Sequence, residues 1–341
     1  KGFEARRTES STRGMLRGLG LNSYVEACGL APSNLAGILG ARVGLYDSAT
    51  VRVNATGNIS VMVGAHSHGQ GHETVFPQIV ADMLGMSADD IDIVHGDTSK
   101  IPFGMGTYGS RSMAVCGSAI VKATDKIIAK ATKIAAHMME ASEADVTFED
   151  GNFTVAGTDK TTAFAAVAFK AYVPHDYPHD VLEPGLEETA FYDPANFTYP
   201  SGAYACEVEV DPDTGKVTIC SFAAVDDVGN VINPMIVEGQ IHGGIGQGIG
   251  QALVESCVYD DNGHLFTLSF LFYSMPLSDH TPPVNFFFTF SPSPLSPLFF
   301  HSFVQARAIP SPSASISALL HSLWSICLRV LALPPTPSTF C

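Results

Sequence analysis

The chain has 341 residues, 46% of them hydrophobic and 15% charged, with a formal net charge of −16. That length allows two domains or one large one, and the composition excludes a wholly disordered chain. The acidic balance excludes non-specific attraction to nucleic acid or anionic lipid, although backbone N–H groups can hold a phosphate without net positive charge.

The opening KGFEARRTESSTRG is neither a signal peptide nor a membrane span and begins mid-pattern, so an amino-terminal truncation is expected. Residues 42–65 contain two short alternating runs around Thr56-Gly57 and predict a β-hairpin. Residues 74–84 read as a helix stopped by Gly85, and residues 91–94 as a strand ending at Gly96-Asp97. Residues 112–142 carry the strongest helix signal. Ile120, Ala123, Ile127, Ala131, Ile134 and Met138 fall on one stripe, and Lys122, Lys126, Lys130 and Lys133 on another. A hairpin around Asp150-Gly151 follows, then a loop-rich stretch over residues 172–200. A second hairpin pairs residues 204–210 with 217–225 around DPDTG, and residues 237–254 form a glycine-laden helix. The pattern predicts an α+β fold, hairpin strands with helices packed on one side, and contains no internal repeat.

Seven cysteines (Cys28, Cys116, Cys206, Cys220, Cys257, Cys327 and Cys341) are scattered without a CxxC pair. They read as reduced thiols in a cytoplasmic protein and offer no structural zinc site.

Composition changes abruptly near residue 280. The last acidic residue is Asp279 and the last glycine Gly263, yet 10 of the 21 prolines follow Asp279. A disordered extension is disfavoured by Phe286, Phe287, Phe288, Phe299, Phe300 and Trp324. A tail anchor over residues 314–333 is weakened by His321 and Arg329. A shifted reading frame is the preferred explanation. The expected division is therefore residues 1–280 as a cofactor-binding region and 281–341 as an aberrant tail.

Three glycine-rich loops carry the chemistry. In the first, residues 64–74 (GAHSHGQGHET), Gly69 and Gly71 free the backbone around Gln70, so amide N–H groups can converge on an anion. Gln70 adds a donor and an acceptor suited to a heterocycle edge or an oxo group, and Thr74 is placed to cap the next helix. His66, His68 and His72 could instead ligate a metal, but no cysteine or carboxylate is spaced to complete the shell. Taken alone, this loop is better read as a glycine turn with solvated histidines.

In the second, residues 104–112 (GMGTYGSRS), Ser110, Ser112 and the first N–H groups of the long helix make an anion cradle aided by the helix dipole. Arg111 can pair with a phosphate at two points, or stand exposed beside an N-cap. The third runs over residues 226–253. There Gly239, Gly243, Gly246 and Gly250 recur along one side of a helix, costing roughly 1 kcal/mol each relative to alanine. Tight helix–helix packing explains those glycines but not Gln240, Gln247 and Gln251 beside them. No GxxxxGK[ST] loop, no dinucleotide fingerprint after a strand and no nucleophile elbow is present, so ATP hydrolysis, Rossmann-type NAD binding and serine esterase chemistry are unsupported.

In this order and spacing the three loops resemble the xanthine dehydrogenase and aldehyde oxidase superfamily of molybdenum hydroxylases. GQGHET followed by GDTSKIPFGMGTYGSRS is most similar to the aerobic carbon monoxide dehydrogenase branch, and VDDVGNVINPMIVEGQIHGGIGQGIGQALVE to the superfamily's carboxy-terminal cofactor loop. The resemblance runs over about residues 17–298. It implies molybdopterin cytosine dinucleotide with molybdenum as cofactor, held by Gly69, Gln70, Gly71, His72, Thr107, Tyr108, Gly109, Ser110, Arg111, Ser112, Gln240 and Gln247. Gln70, Gly71 and residues 109–112 would line the pterin and pyrophosphate side, with Gln240 approaching the pterin. No residue of the chain is assigned as a metal ligand.

Electrons would leave through a small iron–sulfur subunit to a medium FAD subunit, in a dimer of heterotrimers placed in the cytoplasm or at the inner face of the membrane. Oxidation of carbon monoxide with water is the expected reaction. Hydroxylation of an aldehyde or N-heterocycle, or a catalytically dead cofactor-binding module, are the alternatives. The loop that distinguishes substrates is expected before Lys1. The family's G-x-G-E glutamate is expected after PSPLSPL at residues 292–298, where FFHSFVQARAIPS stands, and no glutamate follows Glu255. Lacking that base, the chain as written is expected to be inactive, with no catalytic residue assigned.

Overall fold

The computed structural model describes residues 2–277 and the backbone of residues 284–288. The first predicted hairpin is present as β2 (Asp47–Val53) and β3 (Ile59–Val63), after helix α1 (Phe3–Thr12), strand β1 (Leu16–Val25) and helix α2 (Ser33–Ile38). Ala49 faces Val63 and Val53 faces Ile59. β2 is buried at every position but Arg52, because the sheet is covered on both faces. Helix α3 (His72–Leu84) ends at Gly85, which is left-handed at φ 63°. β4 (Ile91–Val94) then returns parallel to β3, a connection that needs such a crossover.

Residues 112–117 form a π-helical turn rather than the predicted α-helical start, and α4 (Ser118–Met138) carries the regular helix. Its stripe is buried at Ile120, Ala123, Ile127, Ala131 and Ile134, and packs on β2, α3 and β8 (Glu187–Tyr192). Between α4 and β8 lie a three-stranded meander of β5 (Val146–Glu149), β6 (Asn152–Val155) and β7 (Thr161–Ala163), and helix α5 (Phe164–Tyr172). β8 completes a sheet of order β4-β3-β2-β8. The loop-rich stretch over residues 172–200 therefore also contains a strand, set by its pairing with β2.

The second hairpin is β9 (Ser201–Val210) and β10 (Val217–Asp227). They join β1 and β11 (Val284–Phe288) in a second sheet of order β1-β9-β10-β11. β11 thus lies just past the expected boundary at residue 280 and adds its backbone to this sheet; the rest of the tail, with the candidate anchor and the expected glutamate position, lies outside the described residues. Helix α6 (Pro234–Leu253) is laid on this sheet through a small core of Ala224, Ile245 and Ile249, with Tyr204, Ile219 and Phe222 against it. α1, mostly polar, is held to β9 by charge. Glu207 takes Arg6 and Arg17, and Glu209 takes Arg13, Arg17 and the Ser10 hydroxyl.

Cys28, Cys116, Cys206, Cys220 and Cys257 are free thiols. Among the described residues no helix is long and apolar enough to cross a membrane.

Candidate functional site

A cleft of about 2360 Å³ lies between the two cores, well above the roughly 300–1,000 Å³ of small-ligand pockets. One side is the β1-β9-β10 sheet with Gly18, Gly20, Tyr24, Tyr204 and Phe222; the others are α6, α3 and the loops that precede them. All three predicted loops reach it. Gln70 and His72 come from the first, Thr107, Tyr108, Ser110, Arg111 and Ser112 from the second, and Gln240 from the third. Gly69, Gly71, Gly109 and Gln247 are not among its lining residues.

Two of those glycines instead hold the loops close to neighbours. Gly71, at φ 79°, is the N-cap of α3, and a Cβ there would lie 2.6 Å from Cδ1 of Ile236 on α6. A Cβ on Gly109 would lie 2.7 Å from Leu30 Cβ. Thr74 does not cap α3 as predicted: the helix starts two residues earlier, and Thr74 sits in its first turn with its N–H on the Gly71 carbonyl at 3.0 Å. No side chain caps this end, so the positive pole of the helix dipole is left to other partners.

Gln70 turns its Oε1 back to accept the His68 N–H. His72 is buried and stacks on Phe76 at 4.9 Å. Burial pushes its imidazole below the ordinary histidine value; Glu73 opposes, and His95, His68 and His66 add to the lowering. Its Nδ1 is buried with no hydrogen-bond partner. His66 packs near His68 and His95, at 5.0 and 5.1 Å between ring centroids. Among the described residues no group of three or more histidines, cysteines or carboxylates is arranged to hold a metal ion.

The second loop corrects the reading of Arg111. Its guanidinium is not offered to a phosphate, because all five N–H donors are already engaged. Nε donates to the Leu30 carbonyl at 3.1 Å, and Nη1 to Asp47 Oδ2 and the Gly106 carbonyl, both at 2.8 Å. Nη2 donates to the carbonyls of Leu45 at 2.7 Å and Tyr46 at 3.3 Å. Arg111 and Asp47 side chains are each 0% exposed. Nor does the alternative of an exposed arginine hold.

What this loop does present is Ser110, left-handed at φ 51° directly after the left-handed Gly109 at φ 57°. The serine carries about 1–3 kcal/mol of strain, of the kind that gathers at ligand sites. Its hydroxyl donates to Glu26 Oε1 at 3.3 Å, and the Thr107 and Ser112 hydroxyls bond each other at 2.9 Å.

The third loop is tied to the first helix. The Asn233 side chain accepts the Ile236 N–H at 3.1 Å, capping α6, and donates to Gln78 Oε1 on α3 at 3.0 Å. A Cβ on Gly239, Gly243, Gly244, Gly246 or Gly248 would meet nothing within 4 Å, whereas one on Gly250 would strike Glu255 and Pro276. The repeating glycines of α6 are therefore not explained by helix–helix packing within the described residues. Gly244 and Gly248 line the cleft beside Gln240 and Gln251, which makes this stretch a cradle that side chains would fill.

Charge in the cleft is sparse. The carboxylates lining it are Glu26 and Asp227, and its arginine is neutralised by Asp47. Glu26 and the β1 residues are not legible as site residues, since nothing before residue 42 shows a regular period, and β9 is legible as a strand but not as part of a site; the pairing of β1 with β9 brings them to the cleft.

An α+β domain whose separated glycine-rich loops meet at one large cleft defines a cofactor-holding class of protein. The sequence profile of the molybdopterin cofactor-binding domain matches residues 1–282, and the chain belongs to that family. It is 41% identical to the carbon monoxide dehydrogenase large chain of Hydrogenophaga pseudoflava, over 94% of this chain and 40% of that protein. The chain thus spans about two fifths of the length of the curated relatives it matches. Among solved structures it is similar to the Cu,Mo-CO dehydrogenase in its carbon monoxide reduced state, at 41% identity and a TM-score of 0.77, over 86% of this chain and 36% of that one. It is also similar to quinoline 2-oxidoreductase from Pseudomonas putida 86, at 38% identity and a TM-score of 0.78, over 86% and 37% of the two chains.

Proposed function

We propose that the cleft holds molybdopterin cytosine dinucleotide, and that the chain is the cofactor-holding part of a molybdenum hydroxylase large subunit of the aerobic carbon monoxide dehydrogenase type. One observation carries this: Gln70, Ser110 and Gln240, from three distant loops, line a single cleft. The residues present fit such a group. The cradle on α6 has room, His72 offers a buried unpartnered nitrogen, and the second loop offers hydroxyls and a strained turn.

In this reading Gln70 and Gln240 address the polar edges of the pterin, and Ser110 and Ser112 the phosphates. Gly69, Gly71 and Gly109 shape the loops from behind, and Tyr108 shields one side. When bound, the molybdenum group supplies the two-electron oxidation chemistry. His72, kept neutral by burial, acts as a hydrogen-bonding group rather than a cation. Asp227 accepts the Gly229 N–H at 3.1 Å and Glu255 accepts the Tyr273 hydroxyl at 2.7 Å; neither stands where the family's G-x-G-E base is expected. Small iron–sulfur and medium FAD subunits complete the proposed enzyme, in a dimer of heterotrimers placed in the cytoplasm.

A second reading, hydroxylation of an N-heterocycle, is favoured by a likeness to the quinoline enzyme as close as that to the carbon monoxide enzyme. The test is purification of the chain with its partner subunits, followed by metal analysis and assay of cytidine nucleotide released by acid. About one molybdenum and one cytidine nucleotide per chain are expected; absence of both refutes the proposal. Dye reduction by carbon monoxide or by quinoline then separates the two readings.

A further inference from the structure

The segment at the start of β2 grips the roots of two cofactor loops at once. The root of the first loop is held where the Gly64 N–H meets the Ser48 carbonyl at 3.2 Å. A Cβ on Gly64 would collide with Asp47 and would lie 2.5 Å from the Gly104 Cα and 2.8 Å from the Phe103 carbonyl oxygen. The two loops therefore touch backbone to backbone beside Asp47. The root of the second loop is held by the Ser48 hydroxyl on the Phe103 carbonyl and by Phe103 stacked on Tyr46 at 4.1 Å. Arg111 closes the arrangement, reaching back from the far end of that loop to Asp47, Leu45 and Tyr46 while holding Gly106 in its own loop.

A buried ion pair contributes little net stability, since an apolar pair of the same volume is often as stable. What this pair contributes is direction: five bonds from one planar group fix three chain segments relative to one another. It also keeps the arginine's charge out of the cleft.

We infer that Asp47 and Arg111 form a positioning clasp that fixes the Gln70 loop relative to the Ser110 loop, so that the two act as one ligand site. The inference rests on the cofactor reading above for its purpose, but not for its geometry.

The test uses Arg111→Lys and Asp47→Asn in the full-length chain, read by amide hydrogen exchange over residues 64–71 and 104–112, with the β5-β6-β7 meander as internal reference. Lysine has three donors on a point charge and cannot hold the same carbonyls. Exchange in both loops is expected to rise together by about tenfold or more in Arg111→Lys, the scale of losing one charge-assisted bond. A smaller rise in the same two loops is expected in Asp47→Asn, with the meander unchanged. Methylguanidinium added to Arg111→Ala is expected to restore protection to both loops. Loosening of residues 104–112 alone, or loss of protection throughout in both variants, overturns the clasp. So does joint loosening in variants that keep the molybdenum content of an unaltered complex that carries molybdenum. If the loops loosen together but the unaltered complex holds neither molybdenum nor cytidine nucleotide, the clasp stands and the cofactor reading falls.

Discussion

Gly71→Ala probes the junction on which the first and third loops depend. The residue is left-handed at φ 79°, and the new Cβ would lie 2.6 Å from Ile236 Cδ1. The backbone alone costs an L-residue about 1–2 kcal/mol in that region. The contact is about 1 Å inside normal carbon–carbon approach, and repacking Ile236 adds about 1–3 kcal/mol. Because Cδ1 is the free end of a half-buried side chain, the lower part of that range applies, for a total of about 2–4 kcal/mol. Denaturant midpoints of Gly71→Ala, Ile236→Ala and the double variant separate the two causes. Truncating Ile236 removes the collision but leaves the backbone strain, so in that background the glycine change is expected to cost only about 1–2 kcal/mol. Equal costs in both backgrounds, or a neutral Gly71→Ala, would refute the contact between α3 and α6 as described.

Asn233→Ala removes both the α6 cap and the bond to Gln78; a loss of about 1–3 kcal/mol in chemical denaturation is expected, and no loss would contradict the tie between the helices. Acid should release α1. Arg6 chiefly, with Arg17, holds the Glu207 carboxyl down to about 2 against the cost of burial. A depressed carboxyl contributes stability that is complete above its unfolded value of about 4.3 and lost as pH falls through its folded value. Protection of α1 amides should therefore persist at pH 5 and fade between about pH 4 and pH 2; fading already at pH 6 would contradict the Glu207 assignment. Gln240 lines the cleft and Gln247 does not, so Gln240→Ala should lower molybdenum content in the purified complex while Gln247→Ala leaves it unchanged. Equal effects would argue against the mapped orientation of α6.

The elements recovered from sequence are those whose pattern is local. The α4 stripe, the turns at Thr56-Gly57 and Asp150-Gly151 and the hairpin around DPDTG all show in the order of residues and all appear in the fold. The missed elements take their form from distant partners. β1 holds glycines at 18 and 20, is largely exposed, and is a strand because β9 pairs with it along ten residues. β8 lies among prolines and histidines and is fixed by β2. The three loops were visible as candidates because glycine density and helix starts are local properties, and their meeting at one cleft follows the family resemblance. Arg111 shows the opposite limit. An arginine beside serines in a glycine-rich turn reads as a phosphate ligand, and only the fold brings Asp47 and four carbonyls around it. The π-helical turn over residues 112–117 likewise leaves no mark in the apolar period, which continues through it.

The most direct measurement is a density map of the purified complex at a resolution that shows side chains. One elongated ligand in contact with Gln70, Ser110 and Gln240, with molybdenum at one end, is the expected result. A cleft filled by polypeptide, or a molybdenum site away from these three residues, would contradict it.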